Sequence, residues 1–306
     1  MYFPYFRGRQ YELLALKELA QKNLLGKSVV PVVEPIKLSS TFNGSLQAYR
    51  DAELPFALIL NPDVGALAGN SDPSNLFASI AGSIIPSILL NNTAGQALDN
   101  LTERAIPADS VLTILTSRDH LNAYRDLFSQ FPPKYTLFPD ERQIRRTVSQ
   151  NKVLFEDRFI KQERNSNYLK QEDEFFSDDH LFFKEEGYVG FGDYSIVGNE
   201  YIESGFAPYA VAIHIVYFDS DDTLRIHHFV SDSNDDISDV AGKFHEAVSK
   251  LAMWYSKGQK SQLTSALATL LDHNETGYYP GLPTIKKLSI MHHLELMGKY
   301  LDGGFW

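Results

Sequence analysis

The feature that most constrains this chain is a repeated unit in which a short apolar run ends in polar residues and a helix-sized segment follows. Seven such runs lie at 2–7, 29–36, 56–60, 84–90, 111–115, 134–138 and 153–155. They lack strict alternation of apolar and polar residues, which is typical of parallel strands buried on both faces. The pattern therefore predicts an α/β protein of the (β/α)8 TIM-barrel type, with a doubly wound sheet as the alternative.

The barrel is favoured over the doubly wound sheet for two reasons. Strand and helix units follow one another without interruption, and no glycine-rich turn follows the first strand. The rhythm breaks in residues 161–179, which are polar and charged, and the glycine-interrupted segment 187–197 is the best candidate for the eighth strand. We expect that strand to complete the barrel.

The second part of the chain adds elements that a barrel does not need. Two β-rich runs, 210–218 and 224–230, flank an acidic turn and predict an antiparallel hairpin. Amphipathic helices are predicted at 240–255, 263–271 and 285–301. We therefore expect one barrel-type domain over 1–306, with the barrel in 1–200 and the hairpin and C-terminal helices in 201–306.

The composition narrows the classes of partner. Lys and Arg number 28 against 39 Asp and Glu, a net charge of -11, which disfavours direct binding to nucleic acid or to anionic membranes. Cysteine is absent, which excludes disulfides and zinc sites built on sulfur. No run approaches the ~18 apolar residues of a membrane span, and the N-terminus lacks a signal-peptide pattern. We expect a cytoplasmic protein without a membrane segment.

Four segments carry a resemblance to a known group of proteins. They read YFPYFRGRQYE, VVPVVEP, VGFGDYSIVG and PYAVAIHIVYF. Together they resemble an uncharacterised bacterial family related to the phage beta proteins, over most of the chain. The resemblance implies a barrel fold and an association with mobile elements or phage defence. The family has no established reaction, so the resemblance assigns no residue a role.

Candidate functional residues follow from the predicted fold, because the functional face of a (β/α)8 barrel lies at the carboxyl ends of its strands. The candidate catalytic residues there are Glu34, Asp157 and Asp193. The candidate substrate-binding residues are Arg7, Asn61, Asn91, Asp140 and Arg158. Polar and ionisable groups are therefore expected to converge at one mouth.

The chemistry open to this set depends on its carboxylates. They belong to Glu34, Asp140, Asp157 and Asp193. Together they could hold Mg²⁺ or Mn²⁺, since both prefer oxygen ligands. Alternatively, two carboxylates in unlike surroundings could divide acid and base roles. Arg7 and Arg158 suit bidentate binding of an anionic substrate.

Several candidates also have a purely structural interpretation. Asp140, with Gln143 three residues later, fits a helix capping box, and Asn91 fits a cap or turn. Glu34 precedes a proline where no helix begins, which makes it the strongest site candidate.

Two further candidates also have both a structural and a functional interpretation, and for Asp193 the structural one, a bulge, is favoured. Asp157 could pair with Arg158. Asp193 lies beside Gly190 and Gly192, which would admit either a ligand or a bulge.

The histidines offer a weaker hypothesis. His227 and His228 are adjacent in a predicted strand and must point to opposite faces. A tight hairpin would bring His214 near His227, as a pair of metal ligands or, more readily, as ordinary sheet packing. His292 and His293 on the last helix are expected to be surface or partner-facing.

Two functions of different class fit these observations. The first is an enzyme that acts on a small anionic or phosphorylated substrate by hydrolysis or lyase chemistry at a carboxylate-lined mouth. The second is a noncatalytic binding or regulatory protein that contacts a protein partner through the hairpin, the acidic loop 231–239 and the C-terminal helices. Phage defence is an expectation attached to the second.

Overall fold

The computed structural model describes most of the chain. The described residues are 1–69, 74–202, 208–258 and 262–303. They form two compact units. The barrel unit comprises Met1–Asp157 and Asp179–Tyr194, and the second unit comprises Arg158–Asp178 and Ser195–Trp306.

The strands of the described residues are numbered in chain order. They are β1 Tyr5–Phe6, β2 Val32–Val33, β3 Phe56–Ile59, β4 Ile84–Leu89, β5 Leu112–Ile114, β6 Tyr135–Phe138, β7 Lys152–Phe155, β8 Asp173–Ser177, β9 Gly190–Gly192, β10 Ala212–Phe218 and β11 Leu224–Val230.

The helices are numbered in the same way. They are α1 Gln10–Gln21, α2 Ser40–Asp51, α3 Ser74–Phe77, α4 Ala94–Glu103, α5 Leu121–Phe128, α6 Arg142–Thr147, α7 Asp179–Phe182, α8 Val240–Ser256, α9 Ser265–Thr276 and α10 Leu282–Leu301. Of the helices in these ranges, none is both long and apolar enough to cross a bilayer.

The barrel unit is built on one sheet of eight parallel strands in the order β1 to β7 and then β9. The sheet closes on itself, because Tyr2 forms a parallel bridge with Phe191. The backbone N–H of Phe3 donates to the carbonyl of Phe191, and that of Tyr5 donates to the carbonyl of Asp193, both at 2.8 Å. The predicted (β/α)8 fold is therefore confirmed, with its eighth strand inside the segment 187–197.

The barrel interior is filled by alternate residues of every strand. It includes Phe3, Tyr5, Val32, Ile59, Ile114, Leu137, Phe155 and Tyr194. Residues of the opposite parity, such as Tyr2 and Phe6, are buried as well, at 0% and 1% exposure. Burial on both faces explains why the strands read as continuous apolar runs.

The glycines of β9 allow the barrel to close. A Cβ at Gly192 would collide with the backbone carbonyl of Phe3. A Cβ at Gly190 would lie 2.7 Å from the ring of Phe3 and 2.8 Å from the backbone carbonyl of Met1. These glycines therefore leave room for the N-terminal strand of the barrel, which packs directly against β9.

The second unit contains an antiparallel sheet in the order β10, β11, β8. The predicted hairpin is confirmed, with Ala212 opposite Val230 and Phe218 opposite Leu224. Its turn is held by Asp219, whose side chain accepts hydrogen bonds from Thr223. The strand β8 lies in the segment 161–179, where the polar sequence gave no sign of a strand.

The last helix is a core element of the second unit. His292 and His293 are 1% and 0% exposed, so the expectation of a surface position is wrong. His292 contacts the carbonyl oxygen of Val216 at 2.8 Å and the hydroxyl of Thr264 at 2.8 Å. His293 contacts the hydroxyl of Ser195 at 3.0 Å. Each ring therefore has polar partners in the interior, which a helical pattern alone cannot show.

Candidate active site at the barrel mouth

A small cavity lies at the carboxyl ends of the barrel strands and has a volume of about 170 Å³. The side chains that matter on its wall are Tyr5, Arg7, Glu34, Thr116, His120 and Tyr194. At roughly 30 Å³ for each water molecule, it holds about five waters. Pockets for drug-sized ligands are larger, at about 300–1,000 Å³. The cavity is therefore suited to a molecule of only a few heavy atoms.

The centre of the site is an ion pair between Arg7 and Glu34. Their Nη1 and Oε2 atoms lie 2.6 Å apart, and the two side chains are 16% and 1% exposed. Tyr5 donates its hydroxyl hydrogen to the same carboxylate oxygen at 2.8 Å. The other oxygen accepts from the backbone N–H of Asp63 at 2.7 Å. Glu34 therefore holds Arg7 and Tyr5 in place with both of its oxygens.

The position of Glu34 follows from local sequence. It comes directly after β2 and has the parity of the inward-facing Val32. The proline at position 35 has no backbone N–H and disfavours helical conformation in the residue before it. Glu34 therefore remains extended at the mouth and does not serve as a helix cap.

The charge states of the neighbours follow from their burial. Burial alone lowers the pKa of Arg7, but Tyr5 and Glu34 raise it above its usual value, so the guanidinium stays charged. Burial raises the pKa of Tyr5 well above its usual range, and Glu34 adds to this shift. Burial also raises the pKa of Tyr194 to about 12. Both phenols are therefore neutral hydrogen-bond donors near neutral pH.

The rings of these tyrosines also contact the arginine. The guanidinium carbon of Arg7 lies 5.1 Å from the ring centroid of Tyr5 and 5.8 Å from that of Tyr194. A cation within about 6 Å of an aromatic face is stabilised by the ring quadrupole. Arg7 is thus positioned by one carboxylate and two aromatic rings.

The two aspartates predicted to act with Glu34 lie on different sides of the barrel wall. Asp157 follows β7, has the inward parity of Phe155, is exposed, and its charge raises the pKa of Tyr194. Asp193 is 3% exposed, points to the outer layer, and accepts from the Tyr2 hydroxyl at 2.8 Å. The structure therefore brings Asp157 towards the mouth and places Asp193 away from it.

The predicted asparagines support the mouth through a hydrogen-bond network. Asn61 extends the pairing of β3 with β4, because its side chain bonds to both the N–H and the carbonyl of Leu89. It also donates to Asn91 at 2.9 Å. Asn91 in turn donates to Asp63 at 2.6 Å, and the backbone of Asp63 binds Glu34. The network fixes the loop that faces Arg7.

Of the remaining two candidates, Asp140 lies outside this cluster. Asp140 accepts from Tyr188 at 2.9 Å and pairs with Arg145 at 3.0 Å. The helix α6 is preceded by Glu141 at its N-cap, so a capping role for Asp140 is wrong. Arg158 belongs to the second unit.

The four carboxylates proposed as metal ligands do not meet. Within the described ranges, no group of three or more His, Asp or Glu side chains is arranged to hold a metal ion. Glu34 is paired with Arg7, while Asp193 and Asp140 are bonded to tyrosines of the outer layer. A positively charged side chain therefore stands beside Glu34, where a shared cation was expected.

Sequence reasoning missed three contributors to this site: Tyr5, Tyr194 and His120. The signal for Tyr5 was its position two residues before Arg7, which gives both side chains the same face of one strand.

No protein-family model, curated protein or solved structure matches the chain. Fold and cavity thus define the class, a (β/α)8 protein with a small polar mouth.

Proposed function

We propose that the barrel mouth is an enzyme site for a small anionic molecule that carries a carboxylate or phosphate group. The observation that carries this proposal is the Arg7 guanidinium, which lies on the wall of a cavity of about 170 Å³ and is only 16% exposed. Guanidinium groups match carboxylates and phosphates in planar, bidentate contacts. The cavity itself has room for the anionic group, and a neighbouring cavity of about 430 Å³ shares Asp63 and His120 with it.

Preorganisation supports this assignment. Glu34, Tyr5 and Tyr194 hold the guanidinium before any ligand arrives, so little side-chain entropy remains to be lost on binding. A guanidinium has five N–H donors, and Arg7 meets Glu34 through Nη1.

The mouth also holds groups for proton transfer. Tyr194 is a neutral donor that can stabilise negative charge on a substrate oxygen, whereas Tyr5 donates its one hydroxyl hydrogen to Glu34. His120 lines the cavity, and Asp157 lies close enough to Tyr194 to raise its pKa. We assign proton transfer in hydrolysis or lyase chemistry to His120 and Asp157, with Glu34 as a positioning residue.

The test is a ligand screen by thermal unfolding. Phosphate, sulfate, oxalate, malonate and phosphoglycolate are added to the full chain, since a ligand that binds only the native state raises the melting temperature. At a concentration 100 times its Kd, the stabilisation is about 2.7 kcal/mol. We expect at least one of these anions to raise the melting temperature of the unmodified protein.

Matched variants assign that shift to the mouth. For sulfate, oxalate and malonate, which carry no O–H group near neutral pH, Arg7→Gln should abolish the shift. Arg7→Lys should reduce it, because lysine keeps the charge but lacks the planar donor pair. Arg145→Gln is the control, since Arg145 pairs with Asp140 on the outer side of the same barrel. An equal shift in Arg7→Gln and Arg145→Gln would contradict the proposal.

The alternative is a noncatalytic binding protein that acts through the second unit. It would use the acidic loop and the C-terminal helices, of which α10 is buried from Leu288 to Gly298, whereas Ile237 in the loop and Met253 on α8 are exposed. No specific contact favours this alternative. A role in phage defence likewise stays a prediction from the resemblance.

A further inference from the structure

The second unit has a cavity of its own, with a volume of about 250 Å³. The side chains relevant here are Lys161, Asn165, Tyr168, His214, Lys286 and Ser289. They come from β10, from α10 and from the segment before β8. None of them belongs to the barrel mouth, so the proposed function above does not use this cavity.

A chain of three buried polar groups leads to this cavity. Glu174, on β8, lies 3.1 Å from the Nε2 atom of His228. The Nδ1 atoms of His228 and His214 are 2.7 Å apart. Glu174 and His228 are 7% and 1% exposed, whereas His214 is half-buried and lines the cavity. The pairing of the strands places all three on one face of the sheet.

The hydrogen-bond partners set the protonation of both rings. Burial lowers the pKa of His228 below 6.5, although Glu174 opposes this shift, so His228 is neutral near pH 7. A carboxylate can only accept, so Nε2 of His228 carries the hydrogen and Nδ1 carries a lone pair. His214 must therefore donate from Nδ1, which leaves its Nε2 without a hydrogen.

The surroundings of His214 keep it neutral. Burial lowers the pKa of its ring well below 6.5, and His228 and Lys286 lower it further. The rings of Tyr168 and Phe159 pack against it at centroid distances of 4.8 and 5.2 Å. The ring is thus held by packing and by one hydrogen bond, and its second nitrogen is a hydrogen-bond acceptor.

We propose that this cavity is a second ligand site, for a small anion that also carries an O–H group. His214 Nε2 accepts the hydrogen of that group, and the ammonium of Lys286 faces the negative charge. Lys161, which also lines the cavity, is exposed and pairs with Glu200 at 2.7 Å. Phosphate monoesters and hydroxy acids share the required chemistry.

The first part of the test is the tautomer. Imidazole ¹⁵N shifts of the full chain, labelled at histidine, distinguish a protonated from an unprotonated ring nitrogen. We expect Nε2 of His214 to be unprotonated and Nε2 of His228 to be protonated at pH 7. His214→Gln and His228→Gln identify the signals by their loss. A protonated Nε2 on His214 would overturn the proposal.

The second part is a titration with inorganic phosphate, which carries an O–H near neutral pH, against sulfate, which does not. Phosphate should move the His214 signals, and sulfate should leave them in place. Lys286→Gln should weaken the phosphate effect by about tenfold or more, the usual scale for a hydrogen bond to a charged group. Lys287→Gln, on the same helix but outside the cavity wall, should not.

The test of this cavity gives a result that can be told apart from the result of the test at the barrel mouth. Arg7→Gln should leave the phosphate effect on His214 unchanged, whatever it does to anion binding at the mouth. Equal responses to phosphate and sulfate, or no response of His214 to phosphate, would overturn the second site. Loss of the effect in Arg7→Gln would overturn it as well.

Discussion

The two units hold a buried glutamate in different ways. In the barrel unit, Glu34 meets the guanidinium of Arg7 at 2.6 Å. In the second unit, Glu174 meets the imidazole of His228 at 3.1 Å, and His228 meets His214. An arginine keeps its charge at any pH that a protein tolerates, whereas a histidine does not. The Arg7–Glu34 pair is therefore fixed in charge, whereas the charge of the His228–Glu174 pair depends on proton concentration.

The largest predicted difference between the two units is in the stability that each loses at acid pH. Burial lowers the pKa of His292 to about 4 and that of His293 to about 3. Both rings stay neutral in the folded unit, while the unfolded chain binds protons below about 6.5. The free energy of unfolding therefore has its full value above about pH 6.5. It falls as the pH drops towards the pKa values that the two rings have in the folded unit. At about 1.4 kcal/mol per pH unit for each ring, the loss by pH 5 is about 4 kcal/mol.

Hydrogen exchange at pH 7 and pH 5, corrected for intrinsic rates, measures this difference in each unit. Peptides from α10 and β10 should lose protection, and peptides from β3 to β5 should lose less. Burial raises the pKa of Asp173, but hydrogen bonds from Tyr217, His227 and Arg225 bring it below 3.8. The stability that Asp173 contributes is therefore lost only below about pH 3.8, so it does not affect the comparison of pH 7 with pH 5. An equal loss of protection in both units would contradict the predicted difference between them.

Removal of Glu34 should be the next largest effect. Glu34→Ala leaves the guanidinium of Arg7 without its carboxylate, and breaking a buried ion pair costs about 3–5 kcal/mol. The control is Glu18→Ala, which removes an i,i+4 pair with Lys22 on the surface of α1. Such pairs are worth about 0.3–0.5 kcal/mol. Urea unfolding that gave the two variants the same stability would show that the pair at the mouth is not a buried one.

A substitution that disturbs the closure of the barrel should have a smaller effect on stability. Gly192→Ala forces β1 and β9 apart, because the new Cβ meets the carbonyl of Phe3, and overpacking costs about 1–3 kcal/mol. Gly95→Ala is the control, since its Cβ meets only a side-chain atom of Leu127 at 3.9 Å and lies within α4. Alanine in a helix is better than glycine by up to about 1 kcal/mol. Thermal melts should therefore move in opposite directions, and a stabilised Gly192→Ala would exclude close packing of β1 on β9.

The barrel unit was predictable because its strands are buried on both faces and leave continuous apolar runs. The position of Arg7 and Glu34 at strand ends was predictable for the same reason. Asp193 was not, because a change of one residue moves a side chain to the other face of a strand. Gly190 and Gly192, shortly before it, gave no apolar pattern from which to fix that face.

The second unit was less predictable because its elements are polar. The strand β8 begins with Asp173 and Glu174, and their partners Arg225, His227 and His228 lie more than 50 positions away. The hairpin itself was visible, but its pairing places His214 opposite His228 and not opposite the predicted His227. The turn length decides that register, and the sequence left it open by one residue.

The central claim is that Arg7 binds a small anion at the barrel mouth. The most direct measurement is a crystal structure of the chain with the anion that gives the largest melting shift dependent on Arg7. The account predicts ligand density in the cavity, with oxygen atoms at about 2.7–3.2 Å from the guanidinium nitrogens. Ligand density elsewhere, with only water beside Arg7, would contradict it.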